Sequence, residues 1–579
     1  MAQLLIFITL FFGAHDGVQG SDLYEAERSA RVLKALGVQL EPDPEGKRVA
    51  YIRVLPHEVF DADEPWPLFL NNFHMRTRTE VVRRELLFGE GEIYDADRVK
   101  ESMRNLRGMA IFSLVNIMPV QTQNPGEVGV IVFTRDLWSL RLEQAFQLTG
   151  SQVDMILLQL TERNLLGRGK LATLRFQLFQ ATFWLGQFYH DRRLWGSSLS
   201  FFESVDFVFN RETGEGEGSA GQFWFGKPLY SLGQSWSHGL FFGYEMRLAR
   251  QMQSGTLLSY DIPETTDQIE EIPRIWSHKN LSASASSTYQ TGKAWRQQVS
   301  GGLGWQWREA APSEETGLLD EQRAAFDRDV LPREVREVYP MVSYAFFEPV
   351  YYSFKNLSTF GQTEDVRVGP SMSLGFRTPL SLLGSKRDSV GVGVGAGYIY
   401  GKAETLAQVH ISASSMLEEG EWVNQLLGFG IRGATPHMSG MRLVARLRWN
   451  IFKNDKENTL ISLGGNNGLR AYPSQAFQDF GASSFLGNVE LRSQPGIYRS
   501  VHVGTVLFFD AGSVYQSLST MRVHQSIGVG LRILLPQLNR FAYRLDLGVP
   551  LEGKGVNALF MVGRGQALPL TAADDMIAP

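Results

Sequence analysis

The sequence predicts an all-β transmembrane barrel of about 16 antiparallel strands, preceded by one small α/β domain with the order βααββ. Three observations support this fold class. Apolar and polar residues alternate in many segments beyond Trp138, and polar, glycine-rich connections separate these segments. In addition, no run of about 18 apolar residues follows the N-terminus, so membrane-spanning strands are expected and membrane-spanning helices are not.

The alternation is clearest in MRLVARLRWNIF (residues 441–452), where the odd-numbered positions are apolar and Arg442, Arg446 and Arg448 lie on the opposite face. LATLRFQLF (171–179) and VRVGPSMSLGFR (366–377) repeat this pattern. An arginine that faces lipid costs ~2–4 kcal/mol near the bilayer midplane, so these arginines are expected in the lumen. A closed barrel also pairs every backbone group within the hydrocarbon.

Four segments are expected along the chain: a signal peptide at 1–20, a lead-in segment at 21–47, the α/β domain at 48–137 and the barrel at 138–579. The apolar stretch from Leu4 to Ala14 is too short to span a membrane and is typical of a secretory signal. The roughly 440 residues after the α/β domain, at roughly 25–30 residues per strand and connection, give about 16 strands.

The α/β domain is predicted from a change in periodicity between residues 48 and 137. VAYIRVL predicts a first strand, two helical segments follow, and IFSLVNIMPV and VGVIVFT predict two more strands. Thr77, with Glu80 three residues later, matches a capping box for the first helix, and Asp95 is placed to cap the second. The charged residues of these helices are expected on solvated faces, so no catalytic site is expected here.

Composition excludes several kinds of site. The 579 residues include no cysteine, which excludes a disulfide scaffold and cysteine-ligated metals. A net charge of -5, from 56 basic and 61 acidic residues, lacks the basic footprint of a nucleic-acid binder. In GVGVGAGYIY (391–400) the glycines alternate along one face of a strand, which disfavours a dinucleotide-binding loop. We therefore expect no cofactor, no metal and no nucleic-acid partner.

Arg470 is the one charged residue in the glycine-rich stretch GGNNGLRAYPSQ (464–475). In VHVGTVLFFDAGSVY (501–515), Asp510 lies on the face opposite Leu507 and Phe509, so it is expected to face the lumen. A buried carboxylate needs a cation. Two partners are open: Arg470, carried into the barrel by a folded-back loop, or the wall residue Arg532, in which case Arg470 is solvated.

The βααββ domain and the motifs ERNLLGRG, GGNNGLRAY, FFDAG and GVGLRILLP together resemble the outer-membrane protein assembly-factor and two-partner-secretion transporter superfamily. The resemblance covers roughly residues 48–565. It implies a polypeptide-transport-associated (POTRA) domain before a surface-antigen β-barrel of about 16 strands. It also implies a lumenal loop latch, formed by Leu469, Arg470, Ala471 and Tyr472, that meets the barrel-wall residues Phe508, Asp510 and Gly512.

Two details of this latch go beyond the pairing itself. Ala471 stands where the superfamily usually has glycine, which leaves the backbone conformation of the tip open. Tyr472 is expected to pack on the glycine face formed by residues 391, 393, 395 and 397.

The resemblance implies insertion, assembly or translocation of client proteins at the bacterial outer membrane, with the N-terminal domain in the periplasm. A client would bind there by adding a strand to the edge of the sheet. The implied partners are outer-membrane lipid, an unfolded or secreted client polypeptide and possible accessory proteins. The alternative is a passive or gated pore, for which an arginine-lined lumen suffices. An enzyme is not expected, because the ten histidines are scattered and the sequence has no G-x-S-x-G turn.

Overall fold

The computed structural model describes residues 17–62, 64, 66–149, 152–262, 271–360, 362–498, 500–552 and 559–571. It contains a three-stranded sheet with helices, followed by a closed β-barrel. Within these ranges, no helix is both long and apolar enough to cross a bilayer. Residues 1–16 of the predicted signal peptide lie outside the described residues, and helix α1 occupies Gly17–Leu36.

The α/β domain follows the βααββ order predicted from the sequence. Its elements are β1 (Arg48–His57), α2 (Thr79–Arg84), α3 (Ala96–Gly108), β2 (Phe112–Gln121) and β3 (Glu127–Asp136). Strand β3 is central, parallel to β1 and antiparallel to β2, so β2 is an edge strand whose last residues, 119–121, pair with residues 39–41. The helices α2 and α3 bury Val82 and Leu106 against one face of the sheet, and Leu33 of α1 packs on the other.

The barrel consists of strands β4 to β23, each antiparallel to its neighbours, with β23 pairing β4 to close the ring. The strands are Leu140–Thr149, Gln152–Glu162, Leu171–Leu178, Thr182–Asp191, Ser200–Asn210, Gly216–Lys227, Trp236–Arg250, Ile275–Thr291, Arg296–Pro312, Val335–Phe347 with Val350–Lys355, Thr363–Arg377, Ser389–Lys402, Thr405–Glu418, Glu421–Ala434, Met441–Lys453, Ser483–Ser493 with Gly496–Tyr498, Val501–Tyr515, His524–Leu534, Tyr543–Pro550 and Leu559–Arg564. A fourth helix, α4, occupies Asp320–Asp329 in the connection before β13.

The barrel therefore has 20 strands, and the prediction of about 16 is wrong. The estimate assumed connections that are longer than many in the structure. Only Ala403 and Glu404 separate β15 from β16, and only Glu419 and Gly420 separate β16 from β17. Ala403 and Glu419 have positive φ angles of 51° and 52°. Such tight turns usually carry Asn or Gly at a positive-φ position, as Gly420 does with a φ of 86°. The turn of Ala403 and Glu404 contains neither residue type and therefore gave no turn signal in the sequence.

The two predicted helix caps have different outcomes. The Asp95 side chain accepts hydrogen bonds from the backbone N–H groups of Asp97 and Arg98, as predicted. The capping box at Thr77 is wrong, because α2 begins at Thr79 and its N-cap residue, Arg78, makes no side-chain cap. The Thr77 hydroxyl instead accepts a hydrogen bond from the Asn164 amide at 2.9 Å, in the turn between β5 and β6. A contact with the barrel has replaced the local cap.

The α/β domain contacts one end of the barrel, which we call the domain-side end. Arg193, in the turn between β7 and β8, donates two hydrogen bonds to the Glu85 carboxylate at 2.8 and 3.0 Å. Arg107 of α3 lies 3.1 Å from the Asp365 carboxylate near the start of β14. The chain also turns left-handed at Leu166 and Trp195 in the two turns that approach the domain. These contacts fix the domain over the lumen entrance.

Candidate functional site

A loop between β18 and β19 folds into the lumen from the end opposite the domain. Its two short strands, Leu460–Leu463 and Phe477–Phe480, pair with each other and hold between them the segment 464–476, which we call the inner loop. Gly464, Gly465 and Gly468 have positive φ angles of 140°, 56° and 119°, which glycine adopts without strain. The glycine-rich sequence thus allows the chain to reverse direction and brings Arg470 to the barrel wall.

Arg470 is almost completely buried, with 3% of its surface exposed, and it faces the fully buried carboxylate of Asp510 on β20. Its Nε donates to Asp510 Oδ2 at 2.8 Å and its Nη2 donates to Oδ1 at 2.7 Å. The backbone N–H of Arg470 donates to the same carboxylate at 3.2 Å. This two-pronged geometry is available to a guanidinium and not to an ammonium group.

A second carboxylate completes the surroundings of Arg470. Glu490 on β19 is fully buried and accepts a hydrogen bond from Arg470 Nη1. Asp546 on β22 lies farther away, 3.9 Å from the same nitrogen. The guanidinium carbon lies 3.7 Å from the centre of the Phe508 ring, within the range of a cation–π contact. Arg470 is therefore bound by acids on both sides and by an aromatic face.

Asn488 connects the wall and the loop. Its amide nitrogen donates to Asp510 Oδ1 and to the carbonyl oxygen of Gly468, both at 2.7 Å. Its amide oxygen accepts from Arg446 of β18 at 2.8 Å. Every polar atom of the Asn488 side chain is thus used, which holds the Asp510 carboxylate in the orientation that receives Arg470.

The neighbouring carboxylates favour the charged form of Arg470. Burial on its own lowers the pKa of Arg470, but the carboxylates of Glu490 and Asp510 outweigh burial and raise that pKa above the ordinary value for arginine. Arg532, the alternative partner of Asp510, instead donates to Asp546 at 2.6 Å. The hydrogen-bonded carboxylates of Arg470 are thus those of Asp510 and Glu490, whereas Arg532 is hydrogen-bonded to Asp546.

The other tip residues lie close to the barrel wall. Leu469 is fully buried beside Gly512, where an added Cβ would lie 3.2 Å from the Leu469 side chain. Ala471 is not among the residues with positive φ, so glycine is not required at this position. The backbone beside it approaches Gly548 closely: a Cβ there would lie 3.0 Å from the carbonyl oxygen of Arg470 and 3.1 Å from the Cβ of Ala471.

Tyr472 does not lie on the glycine face of residues 391–397. Its hydroxyl donates to the carbonyl oxygen of Gln525 at 3.0 Å, and its ring packs against Phe477 and His524. The glycine face is instead approached by its neighbouring strands, since an added Cβ on Gly395 would meet the Ser373 hydroxyl. The loop enters beside β20 to β22, which form a different part of the wall. The alternation of residues along β15 shows which side chains face the lumen, but it does not show which strands the loop contacts.

Sequence reasoning missed Asn488 and Glu490, which bind the same network. Both follow the two-residue period of β19, NVELR, on the face opposite Val489 and Leu491. This parity predicts a lumenal position, but it does not show which inward residues of neighbouring strands are in register. The pairing of Asn488 with Asp510 across β19 and β20 comes from the strand register. Within the described ranges, no group of three or more His, Asp or Glu residues is arranged to hold a metal ion.

The fold and the lumenal cluster define a closed β-barrel with an inward-folded, arginine-anchored loop. Residues 400–557, which include the inner loop and β20, match the Omp85 superfamily domain. This match agrees with the resemblance found in the sequence motifs.

Three solved structures are similar to this chain at low identity. BamA from Haemophilus ducreyi lacking POTRA domains 1-3 is 13% identical, with 91% of this chain and 89% of that chain covered and a TM-score of 0.36. CdiB from Acinetobacter baumannii is 12% identical, with 90% and 74% covered and a TM-score of 0.40. CdiB from Escherichia coli is 11% identical, with 91% and 80% covered and a TM-score of 0.42. No curated protein matches the sequence.

Proposed function

We propose that this protein inserts, assembles or translocates client polypeptides at the bacterial outer membrane. In this proposal the α/β domain is a POTRA-like domain that lies in the periplasm and receives an unfolded or secreted client. Outer-membrane lipid surrounds the barrel, and accessory proteins are possible further partners. The protein is not proposed to be an enzyme, and no cofactor is part of the proposed activity.

One observation carries the proposal: an edge strand of the α/β domain borders the domain-side entrance of the barrel. The first residues of β2, from Phe112 to Val115, line one cleft together with Gln362, Thr363 and Arg540 of the barrel. An edge strand offers backbone groups to which an extended peptide can add. A client strand added at this edge would be delivered next to the lumen.

The position of the inner loop also favours a role in assembly or translocation rather than a role as a permanently open pore. It enters the lumen from one end and is fixed there by the buried pair of Arg470 and Asp510. We propose that the latch residues hold the loop in this position and that the loop yields when a client engages the barrel.

The proposal is tested by site-specific photocrosslinking in proteoliposomes during folding of an unfolded outer-membrane client. A photoreactive residue replaces Ser113, which lies in the first half of β2, or Gln123, an exposed residue in the turn after β2, as the matched control. We expect crosslinks from position 113 and not from position 123, together with faster client folding than in empty liposomes.

A different outcome would favour the alternative, a passive or gated pore. Steady ion conductance in planar bilayers, with client folding no faster than in empty liposomes and equal crosslinking from both positions, would contradict the proposed activity. In that case the lumen would conduct solutes and no client polypeptide would bind the edge of β2.

A further inference from the structure

The chain does not end at the last barrel strand, because residues after β23 turn into the lumen. Gly565 has a positive φ of 73°, and its N–H donates to the carbonyl oxygen of Ala542 at 2.9 Å, which turns the chain inward. Residues 566–571, which we call the tail, then run along the inside of the barrel at its domain-side end. Leu568 and Leu570 are each only 1% exposed.

The barrel wall holds the tail through its backbone. Three successive carbonyl oxygens each accept a hydrogen bond from a different wall side chain: Leu568 from Arg492 at 2.7 Å, Pro569 from Arg432 at 3.2 Å and Leu570 from Gln408 at 2.9 Å. These donors come from three strands, β19, β17 and β16. Every peptide segment carries carbonyl groups, so these contacts do not depend on the side chains of the tail.

Two apolar side chains of the tail make contacts that depend on its sequence. Leu568 and Leu570, two positions apart, pack into one cluster of wall and loop residues: Phe354, Leu357, Val366, Leu406, Ala434 and Val444. Residues two apart lie on the same side of an extended chain. The cluster therefore accommodates a peptide with apolar side chains at positions i and i+2.

On its other side the tail contacts the loop of residues 356–362, which is held by hydrogen bonds of its own. The carboxylate of Glu364, which is buried, accepts hydrogen bonds from the backbone N–H groups of Leu357, Ser358 and Thr359 at 3.0 Å each. The Ser358 hydroxyl then accepts from the backbone N–H of Leu570 at 3.2 Å. Thr571 of the tail donates to the same carboxylate at 3.2 Å. The three backbone hydrogen bonds, however, lie within residues 357–364, so the loop can remain in place when the tail leaves.

We infer that the domain-side lumen contains a binding site for an extended polypeptide with two apolar residues spaced i and i+2, and that residues 566–571 are its resident occupant. A tail attached by one residue to β23 is present at a high effective concentration, so it fills the site until a longer or better-fitting chain competes. The inference deepens the proposed function, on which it rests only for the source of the competing chain: a client segment that leaves the edge of β2.

The first test measures whether the tail covers the site. The sequence has no cysteine, so Ser358→Cys, at a position with no exposed surface, introduces a unique thiol beneath the tail. Labelling with a bulky maleimide is compared between this variant and one that also carries Leu568→Asp and Leu570→Asp, both as full-length folded barrels. We expect labelling to be roughly tenfold faster or more when the two leucines are changed, because local opening exposes the thiol. Equal rates would overturn the inference.

The second test measures binding of a separate peptide. A fluorescent peptide with the sequence of residues 566–571, QALPLT, is added to full-length Leu568→Asp/Leu570→Asp protein and to the parent. We expect it to bind the variant, to protect the Ser358→Cys thiol from labelling, and to bind the parent at least about tenfold more weakly, because the attached tail competes. A peptide with aspartate at both leucine positions is the control.

A third test changes the wall residues that bind the carbonyl groups of the tail. Adding Gln408→Ala and Arg432→Ala to the opened variant should remove peptide binding, whereas Gln306→Ala, on β12, should not. Binding of QALPLT to neither protein, or equally to both, would overturn the inference. Such a result would leave the assembly proposal standing, since that proposal is decided by client folding and by crosslinking from position 113.

Discussion

The inner loop and the tail both occupy the lumen, but the wall holds them by different chemistry. The charged anchor of the inner loop is one side chain, Arg470, whose guanidinium is bound by the carboxylates of Asp510 and Glu490. The tail depends on its carbonyl groups and on two leucines. An ion pair selects one residue type, whereas backbone contacts accept many sequences. The loop is thus built for one fixed partner, and the tail site for exchangeable ones.

The two segments enter from opposite ends and meet at one pair of wall residues. Glu490 accepts from Arg470 of the loop and also from Arg492 Nε at 2.8 Å. Arg492 in turn donates to the carbonyl oxygen of Leu568 in the tail. A continuous chain of charged contacts therefore connects the loop to the tail through β19. This contiguity allows coupling, and the coupling itself requires a measurement.

The largest expected effect is on the loop and comes from removing one member of its buried pair. Arg470→Ala leaves the carboxylate of Asp510 without its cation, and we expect a loss of about 3–5 kcal/mol in the free energy of unfolding. Asp510→Ala should have a similar effect, and the double variant should cost much less than the sum of the two. Arg470→Lys should recover only part of the loss, because an ammonium cannot form both prongs.

The measurement is the unfolding transition of the folded barrel, with protease cleavage in the segment 464–475 as a second readout. Arg377→Ala is the matched control, because Arg377 belongs to a partly exposed pair with Glu337 at 3.7 Å and should cost about 0–1 kcal/mol. Strict additivity of Arg470→Ala and Asp510→Ala, or rapid cleavage of the parent loop, would show that the pair does not hold the loop.

The second prediction tests whether the loop and the tail are coupled through Glu490. Glu490→Gln keeps the shape of the side chain but removes its charge, and charge-assisted hydrogen bonds contribute about 1.5–3 kcal/mol. We expect it to loosen both segments, raising protease cleavage of the inner loop and maleimide labelling of Ser358→Cys beneath the tail. Asp510→Asn should loosen the loop alone, because Asp510 makes no hydrogen bond to Arg492 or to the tail within the described residues. Loosening of the tail by both changes, or by neither, would rule out this route.

Local periodicity predicted much of the fold, but it could not predict which residues of distant segments contact each other. The alternation around Asp510 predicted that this residue faces the lumen, and the glycine-rich sequence of 464–475 allowed a loop that could fold back to reach it. The same reasoning did not fix where Tyr472 would pack, since that depends on which strands the loop passes. It also undercounted the strands, because a turn such as Ala403–Glu404 contains no Gly, Asn or Pro.

The position of the tail inside the lumen could not be predicted from the sequence for a related physical reason. Its segment GQALPLT has no charged residue and no clear period, so nothing in it indicates burial inside a polar lumen. Its binding partners, Gln408, Arg432 and Arg492, are far from it in sequence, and each looks like an ordinary inward-facing residue of its own strand. Only the closed ring of strands brings the three donors together.

The third prediction concerns the close approach of the inner loop to β22. Gly548→Ala would place a methyl group 3.0 Å from the carbonyl oxygen of Arg470 and 3.1 Å from the Cβ of Ala471, so either the loop or the strand must move. Overpacking by a single methyl group should cost about 1 kcal/mol and should raise cleavage of the loop without affecting the tail. Gly393→Ala is the matched control, since an added Cβ there has no atom within 4 Å. Equal stability of the two variants would mean that the loop tip does not press against β22.

The smallest effect is expected at Ala471, the position at which the resemblance described above implies glycine. A glycine would be needed if the backbone were left-handed at this position, but Ala471 does not have a positive φ, and its side chain is buried. Ala471→Gly should therefore not relieve strain. It should destabilise slightly, by about 0.5 kcal/mol, because glycine gives the unfolded chain more freedom and the buried methyl group loses its contact beside Gly548. The unfolding transition measured beside that of Gly548→Ala checks the sign. A stabilised Ala471→Gly protein would show that the tip is strained as alanine, and that the pair of Arg470 and Asp510 must hold the loop against that strain.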